Sequence, residues 1–124
     1  MLDHVTLGVS DLERSKTFYD RALSPLGIAR LYAEAGRFAG YGIDPKAFFW
    51  IGTRPNAQSG AHVAFTAKDR ATVDRFYADA IAAGGKDNGG PGLRPHYHAN
   101  YYGAFVLDPD GHNIEAVCHL AETK

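Results

Sequence analysis

A few residues in this 124-residue chain are of types and spacings that could do chemistry. His4 and His62 each open an apolar run, "HVTLGV" and "HVAFTA", and Glu115 interrupts a third, "NIEAVC". "RPHYHANYY", Arg94 to Tyr102, carries His96-x-His98 followed by Tyr101 and Tyr102. Imidazole, carboxylate and phenol groups move protons at a reacting centre; the first two also bind metals. Each has a plainer reading. A strand glutamate is usually solvated, because a carboxylate is costly to bury unpaired. Two strand histidines can simply hydrogen-bond to neighbours. The H-x-H pair would share a strand face, but its glycine-rich surroundings suggest a loop. Asp108 and Asp110 look like part of a calcium loop, yet the remaining ligands are missing and Asp-Pro-Asp-Gly reads as a tight turn. Cys118 is the single cysteine, with no internal partner and no basic neighbour to activate it.

The elements that position these groups are written twice. "HVTLGVSDLERSKTFYDRAL" starts at His4 and "HVAFTAKDRATVDRFYADAI" at His62, which lies 58 residues further on. At that offset Val5 matches Val63, Asp11 matches Asp69, Phe18-Tyr19 match Phe76-Tyr77, and Ala22 matches Ala80. Such self-similarity marks a duplicated structural unit. Each copy reads as a strand, a cap and an amphipathic helix. Val73, Phe76, Tyr77, Ala80 and Ile81 follow the spacing of one helix face, as do Leu12, Tyr19, Ala22 and Leu23. Ser10 with Glu13 suggests a capping box, Asp69 an N-cap, and Gly27 and Gly84 the helix ends. Strands follow near 29–35, 37–41 and 47–53, and again near 101–107 and 113–119 after a weaker one. Asn88 to Pro95 reads as irregular. The plan is strand–helix–strand–strand–strand, twice, which argues against a doubly wound parallel sheet.

Strand alternation then assigns faces. Val5, Leu7 and Val9 share one side of the first strand, against His4, Thr6 and Gly8. Val63, Phe65 and Ala67 oppose His62, Ala64 and Thr66. On the last strand Ile114, Ala116 and Cys118 join the apolar set, which leaves Glu115 on the side of the histidines.

Composition sets the class. With 45% hydrophobic and 22% charged residues, the chain is an ordinary globular domain, too short for two independent cores. A net charge of −1 without a basic run argues against nucleic acid as a partner. No apolar stretch is long enough for a membrane span, and "MLDHVTLGV" lacks the pattern of a secretory signal. A cytoplasmic location is the default expectation.

The paired "HV" strands and "AFVLDPDGHNIEAV" make the whole chain resemble the vicinal oxygen chelate superfamily of glyoxalase I, bleomycin-resistance proteins, extradiol dioxygenases and fosfomycin-modifying thiol transferases. The resemblance implies one α+β domain over residues 1–124. Two tandem βαβββ modules, about 1–55 and 60–124, would form a curved, cup-like mixed sheet with helices on its outer face. Carried over by position, His4, His62 and Glu115 would be metal ligands. The fourth family position falls in "AFFWIGT", where Trp50 stands opposite Glu115; tryptophan cannot bind a metal, so a glyoxalase I assignment is weakened. Two histidines and a carboxylate suit a divalent ion, manganese, iron, zinc or nickel, with positions left open for substrate. The resemblance thus implies a metal-dependent enzyme acting on a small oxygenated substrate, of lyase, dioxygenase or thiol-transferase type, and a homodimer. Tyr101 and His98 are the catalytic candidates. Trp50, Phe48, His96 and Tyr102 are the substrate-binding ones, and at most one of Tyr101 and Tyr102 faces the cup. The alternative is a metal-free small-molecule binding protein of the bleomycin-resistance type, which Trp50 favours.

Overall fold

A computed structural model describes residues 1–122 of the chain. The first module contains β1 (Val5–Val9), α1 (Leu12–Ala22), a single 3-10 turn (Ser24–Leu26), β2 (Ala29–Glu34), β3 (Phe38–Ile43) and β4 (Lys46–Thr53). The second contains β5 (His62–Thr66), α2 (Arg70–Ala82), the two-residue strands β6 (Lys86–Asp87) and β7 (Gly92–Leu93), β8 (Tyr102–Leu107) and β9 (Asn113–Cys118). The modules form two separate mixed sheets, ordered β1-β4-β3-β2 and β5-β9-β8-β6, with β7 also on β8. The tandem arrangement and the α+β class are those expected from the repeat. The short β6 and β7 fall where Gly and Pro crowd Asn88 to Pro95 and leave few side chains to pack.

Each module joins its first and last strands in parallel: Thr6 pairs with Trp50 in β1·β4, and Ala64 with Glu115 in β5·β9. Thr6 and Ala64 are repeat equivalents, so Trp50 occupies the position in the first sheet that Glu115 occupies in the second. Burial follows the predicted parity. Leu7 and Val9 are buried while Thr6 is exposed; Phe65 and Ala67 are buried while His62, Ala64 and Thr66 are exposed. The apolar faces of both sheets and the two helices share one core, in which Phe49 of β4 meets Phe65 of β5 edge-on at 5.3 Å. Cys118 is fully buried in it.

Helix starts divide between expectation and surprise. Asp69 caps α2 through Thr72 N at 2.8 Å, as its type predicts. For α1 the cap is Asp11, which accepts from Arg14 N at 3.1 Å, and the Ser10–Glu13 capping box does not form. Ser10 is engaged elsewhere: its N–H and hydroxyl both donate to Asp110, at 3.1 and 2.6 Å.

That contact belongs to a clasp built by the Asp108–His112 turn. Asp108, 3% exposed, accepts backbone N–H groups from Asp110 and His112 on one oxygen. Its other oxygen accepts the hydroxyl of the fully buried Tyr19 at 2.5 Å. His112 donates from Nε2 to Gly8 O at 2.9 Å and accepts from Ala61 N at 3.3 Å. The turn therefore ties α1 and the end of β1 to the second module. Burial, then the adjacent Asp108 carboxylate, raises the Tyr19 phenol well above its usual range.

Candidate functional site

Glu115 lies on the open face of the second sheet and is nevertheless 1% exposed. His62, on the neighbouring β5, directs Nε2 to Glu115 Oε1 at 2.8 Å. Tyr101, just before β8, donates its hydroxyl to Oε2. Gly103 leaves space at this point: a Cβ there would stand 3.3 Å from Oε2. The carboxylate is thus held on both oxygens, which is the condition for burying it. Burial and then the hydrogen bond to Glu115 hold the Tyr101 phenol well above its ordinary range, so it stays a donor.

Around Tyr101 gathers a shell of rings. Tyr97 and His98 meet it at 4.8 and 5.3 Å, and His96 packs at a tilt against Tyr97 at 4.3 Å. His119 lies 5.3 Å from Tyr101, and its Nδ1 is 2.6 Å from His98 Nε2. His119 was not singled out in the sequence, because a residue just past a strand end carries no periodic signal. Tyr102 turns to the opposite face. It donates to Asp74 of α2 at 2.7 Å, lies under Arg70, and has its phenol raised to about 12, first by burial and then by Asp74. Tyr101 is therefore the one that faces Glu115, and Tyr102 belongs to the helix side.

The remaining candidates line the first sheet. His4 immediately precedes β1 and pairs through Nδ1 with Asp3 at 2.7 Å, its side chain 53% exposed. Phe48, half-buried, helps line a cleft of about 320 Å³ between β1 and β5. Trp50 stacks on Tyr32 at 5.9 Å, meets Phe38 edge-on at 5.9 Å, and lies across Gly40. A second cavity, about 510 Å³, opens between His4, Thr6, Trp50, Phe38, Arg37 and Arg54.

An imidazole nitrogen and a carboxylate oxygen converging at 2.8 Å are the right donor types for a divalent ion. The number is short. Among the described residues, no three His, Cys, Asp or Glu side chains gather in a way that could hold a metal, so His4 does not join His62 and Glu115 within one chain. The described residues of a single chain bring two donors together, which does not fit a three-ligand centre.

No helix among the described residues is long and apolar enough to cross a membrane. No curated protein matches the chain. Solved structures do. A glyoxalase/bleomycin resistance protein from Albidiferax ferrireducens is 35% identical, with 95% of this chain and 98% of that one covered and a TM-score of 0.82. A glyoxalase-related enzyme from Fulvimarina pelagi (22% identity, 95% and 87% coverage, TM-score 0.75) shares the fold. So does a lactoylglutathione lyase from Agrobacterium tumefaciens (18%, 95% and 92%, 0.69). The profile of the glyoxalase/bleomycin resistance protein/dioxygenase superfamily matches residues 1–116. With that match, the duplicated βαβββ modules and the "DPDGHNIE" turn leading into Glu115, the chain belongs to this superfamily.

Proposed function

We propose that the protein is a homodimeric, metal-dependent enzyme acting on a small oxygenated substrate. In this reading the centre is shared: His62 and Glu115 of one chain meet the His4-bearing face of the other. Three observations support it. Both sheets leave the histidine-bearing face open. The two faces are repeat equivalents and so can meet about a twofold axis. Among the described residues of one chain, no third donor joins His62 and Glu115. The observation that carries the reading is Glu115, a carboxylate 1% exposed yet directed with His62 toward an open sheet face. An ion held there would polarise a substrate oxygen as a Lewis acid.

The chain's own residues have definable tasks. Tyr101 fixes the Glu115 carboxylate with its one hydroxyl proton, and its oxygen is left to accept a hydrogen bond from a hydroxyl of the substrate. His98 and His119 face one another beside it and are exposed to solvent. Trp50, Phe48 and His96 offer ring surface to a ligand. Superfamily names such as lyase and dioxygenase do not choose the reaction, because one scaffold hosts many chemistries.

A second reading is favoured by a specific observation. Trp50 stands where Glu115 stands in the other module, and with Tyr32 and Phe38 it builds an aromatic wall. A metal-free small-molecule binding protein would use such a wall and need no third donor. The test is the metal content and oligomeric state of purified protein beside Glu115→Ala. A dimer holding stoichiometric metal that the variant loses supports the enzyme reading. A wild-type protein that takes up no divalent ion when supplied with one leaves the binding-protein reading.

A further inference from the structure

The cavity of about 510 Å³ on the first sheet contains a side chain that the metal reading does not use. Arg54 follows β4, and its backbone N–H donates to Val9 O at 3.1 Å, which extends the β1·β4 pairing by one residue. Its side chain then runs back across the open sheet face. A Cβ at Gly8 would fall 2.9 Å from Arg54 Cγ, and one at Gly52 would fall 3.2 Å from its Nη1. Gly8 and Gly52 are register partners on neighbouring strands. Two adjacent bare backbone positions thus form a seat in which the arginine lies flat, aliphatic stem over one glycine and guanidinium over the other. Trp50 uses the same device: a Cβ at Gly40 would come within 2.5 Å of its ring.

The guanidinium so placed has unused capacity. It presents five N–H donors in a planar fork, and among the described residues its side chain makes one hydrogen bond, from Nη1 to Thr53 O at 3.1 Å. Among the described residues no carboxylate lies within 4 Å of it, whereas the neighbouring Arg37 is tied to Glu34 at 3.1 Å. Among the described residues no acidic side chain lines the cavity. A forked cation held against a sheet, with no carboxylate among the described residues beside it and aromatic rings lining the same cavity, fits a carboxylate or phosphate bidentately.

We propose that Arg54 forms an oxyanion subsite that selects a planar or aromatic acid, its ring packed against Trp50 and Phe38 and its carboxylate or phosphate received by the guanidinium. The proposal rests on reading this open face as the substrate face and names the class of substrate it admits. It does not depend on a metal.

Trp50 is the single tryptophan of the chain and lines this cavity, so its emission reports occupancy. Benzoate and its uncharged analogue benzamide are titrated into chelator-treated wild type, Arg54→Gln, Arg54→Lys and Arg37→Gln, with thermal midpoints confirming that the variants fold. Benzoate is expected to bind wild type about tenfold or more tightly than benzamide, the scale of a charge-assisted bidentate contact. Arg54→Gln should erase that preference and leave benzamide binding unchanged, and Arg54→Lys should restore it in part. Arg37→Gln should change it less. The proposal is overturned if wild type binds the two probes equally, if Arg54→Gln keeps the preference, or if benzoate leaves Trp50 emission unchanged at every soluble concentration. Glu115→Ala separates this idea from the metal reading: it should lose any metal and keep the benzoate preference.

Discussion

Removing the hydroxyl that holds Glu115 is the sharpest test of how the site is built. Tyr101→Phe keeps the ring and its contacts with Tyr97, His98 and His119, and deletes only the donor to Oε2. Glu115 is 1% exposed and would retain His62 alone, at 2.8 Å on the other oxygen. A hydrogen bond to a charged group contributes about 1.5–3 kcal/mol. Tyr101 is only half-buried, so water can enter in place of its hydroxyl, and the lower end applies: about 1.5 kcal/mol. For a chain of this length that corresponds to a fall in Tm of roughly 5–9 °C. The assay is a double-mutant cycle of Tyr101→Phe and Glu115→Gln by denaturant and thermal unfolding, both away from extremes of pH. The pair should couple by about 1 kcal/mol, because Tyr101→Phe removes the donor and Glu115→Gln removes the charge that strengthens its acceptor. A Tyr101→Phe protein within about 1 °C of wild type, or a coupling below about 0.3 kcal/mol, would refute the placement of Tyr101 on Glu115.

Other expectations follow from the same structure. Tyr19→Phe leaves a buried Asp108 oxygen without its donor and should cost about 2–3 kcal/mol by urea unfolding; Tyr41→Phe, whose partner Asp20 is exposed, should cost less. Gly40→Ala should shift Trp50 emission and lower the midpoint of unfolding, since the new methyl meets the indole at 2.5 Å. Five phenols, Tyr19, Tyr41, Tyr77, Tyr101 and Tyr102, are raised, the last to about 12. The native state then holds protons that the unfolded chain releases near pH 10, so their contribution is complete below pH 10 and declines above it, that of Tyr102 as the pH passes about 12. A tyrosinate absorbance titration should therefore stop short of seven residues until the protein unfolds, and completion in the native state would contradict it.

Much of this architecture could be read from the residues. The 58-residue repeat fixed two βαβββ units because both copies carry the same strand parity and helix stripe. That parity set His62 and Glu115 on one face, and the register bears it out through Ala64 opposite Glu115. Matching Trp50 to Glu115 was correct for the same reason. What parity could not supply was the distance between sheets. His4 and His62 occupy equivalent positions, but each module makes its own sheet, so equivalence does not bring them together in one chain. Loop geometry was equally hidden. Asp108 reads as a turn residue, yet with His112 it clasps the modules, and Ser10 is drawn from its expected cap into that clasp. Arg54 escaped notice because its signal is the absence of side chains at Gly8 and Gly52, visible only once the strands are in register.

The claim that a shared centre joins two chains is most directly tested by mixing. His4→Ala and Glu115→Ala proteins are each unfolded, mixed in equal amounts, refolded and assayed for bound divalent metal. Each variant alone should hold none, because every site lacks one ligand. Random reassortment makes half of the dimers mixed, and each mixed dimer has one of its two sites intact, so the mixture should recover roughly a quarter of the wild-type metal. A mixture holding no more metal than the separate variants, or a His4→Ala protein that retains the wild-type amount alone, would contradict the account.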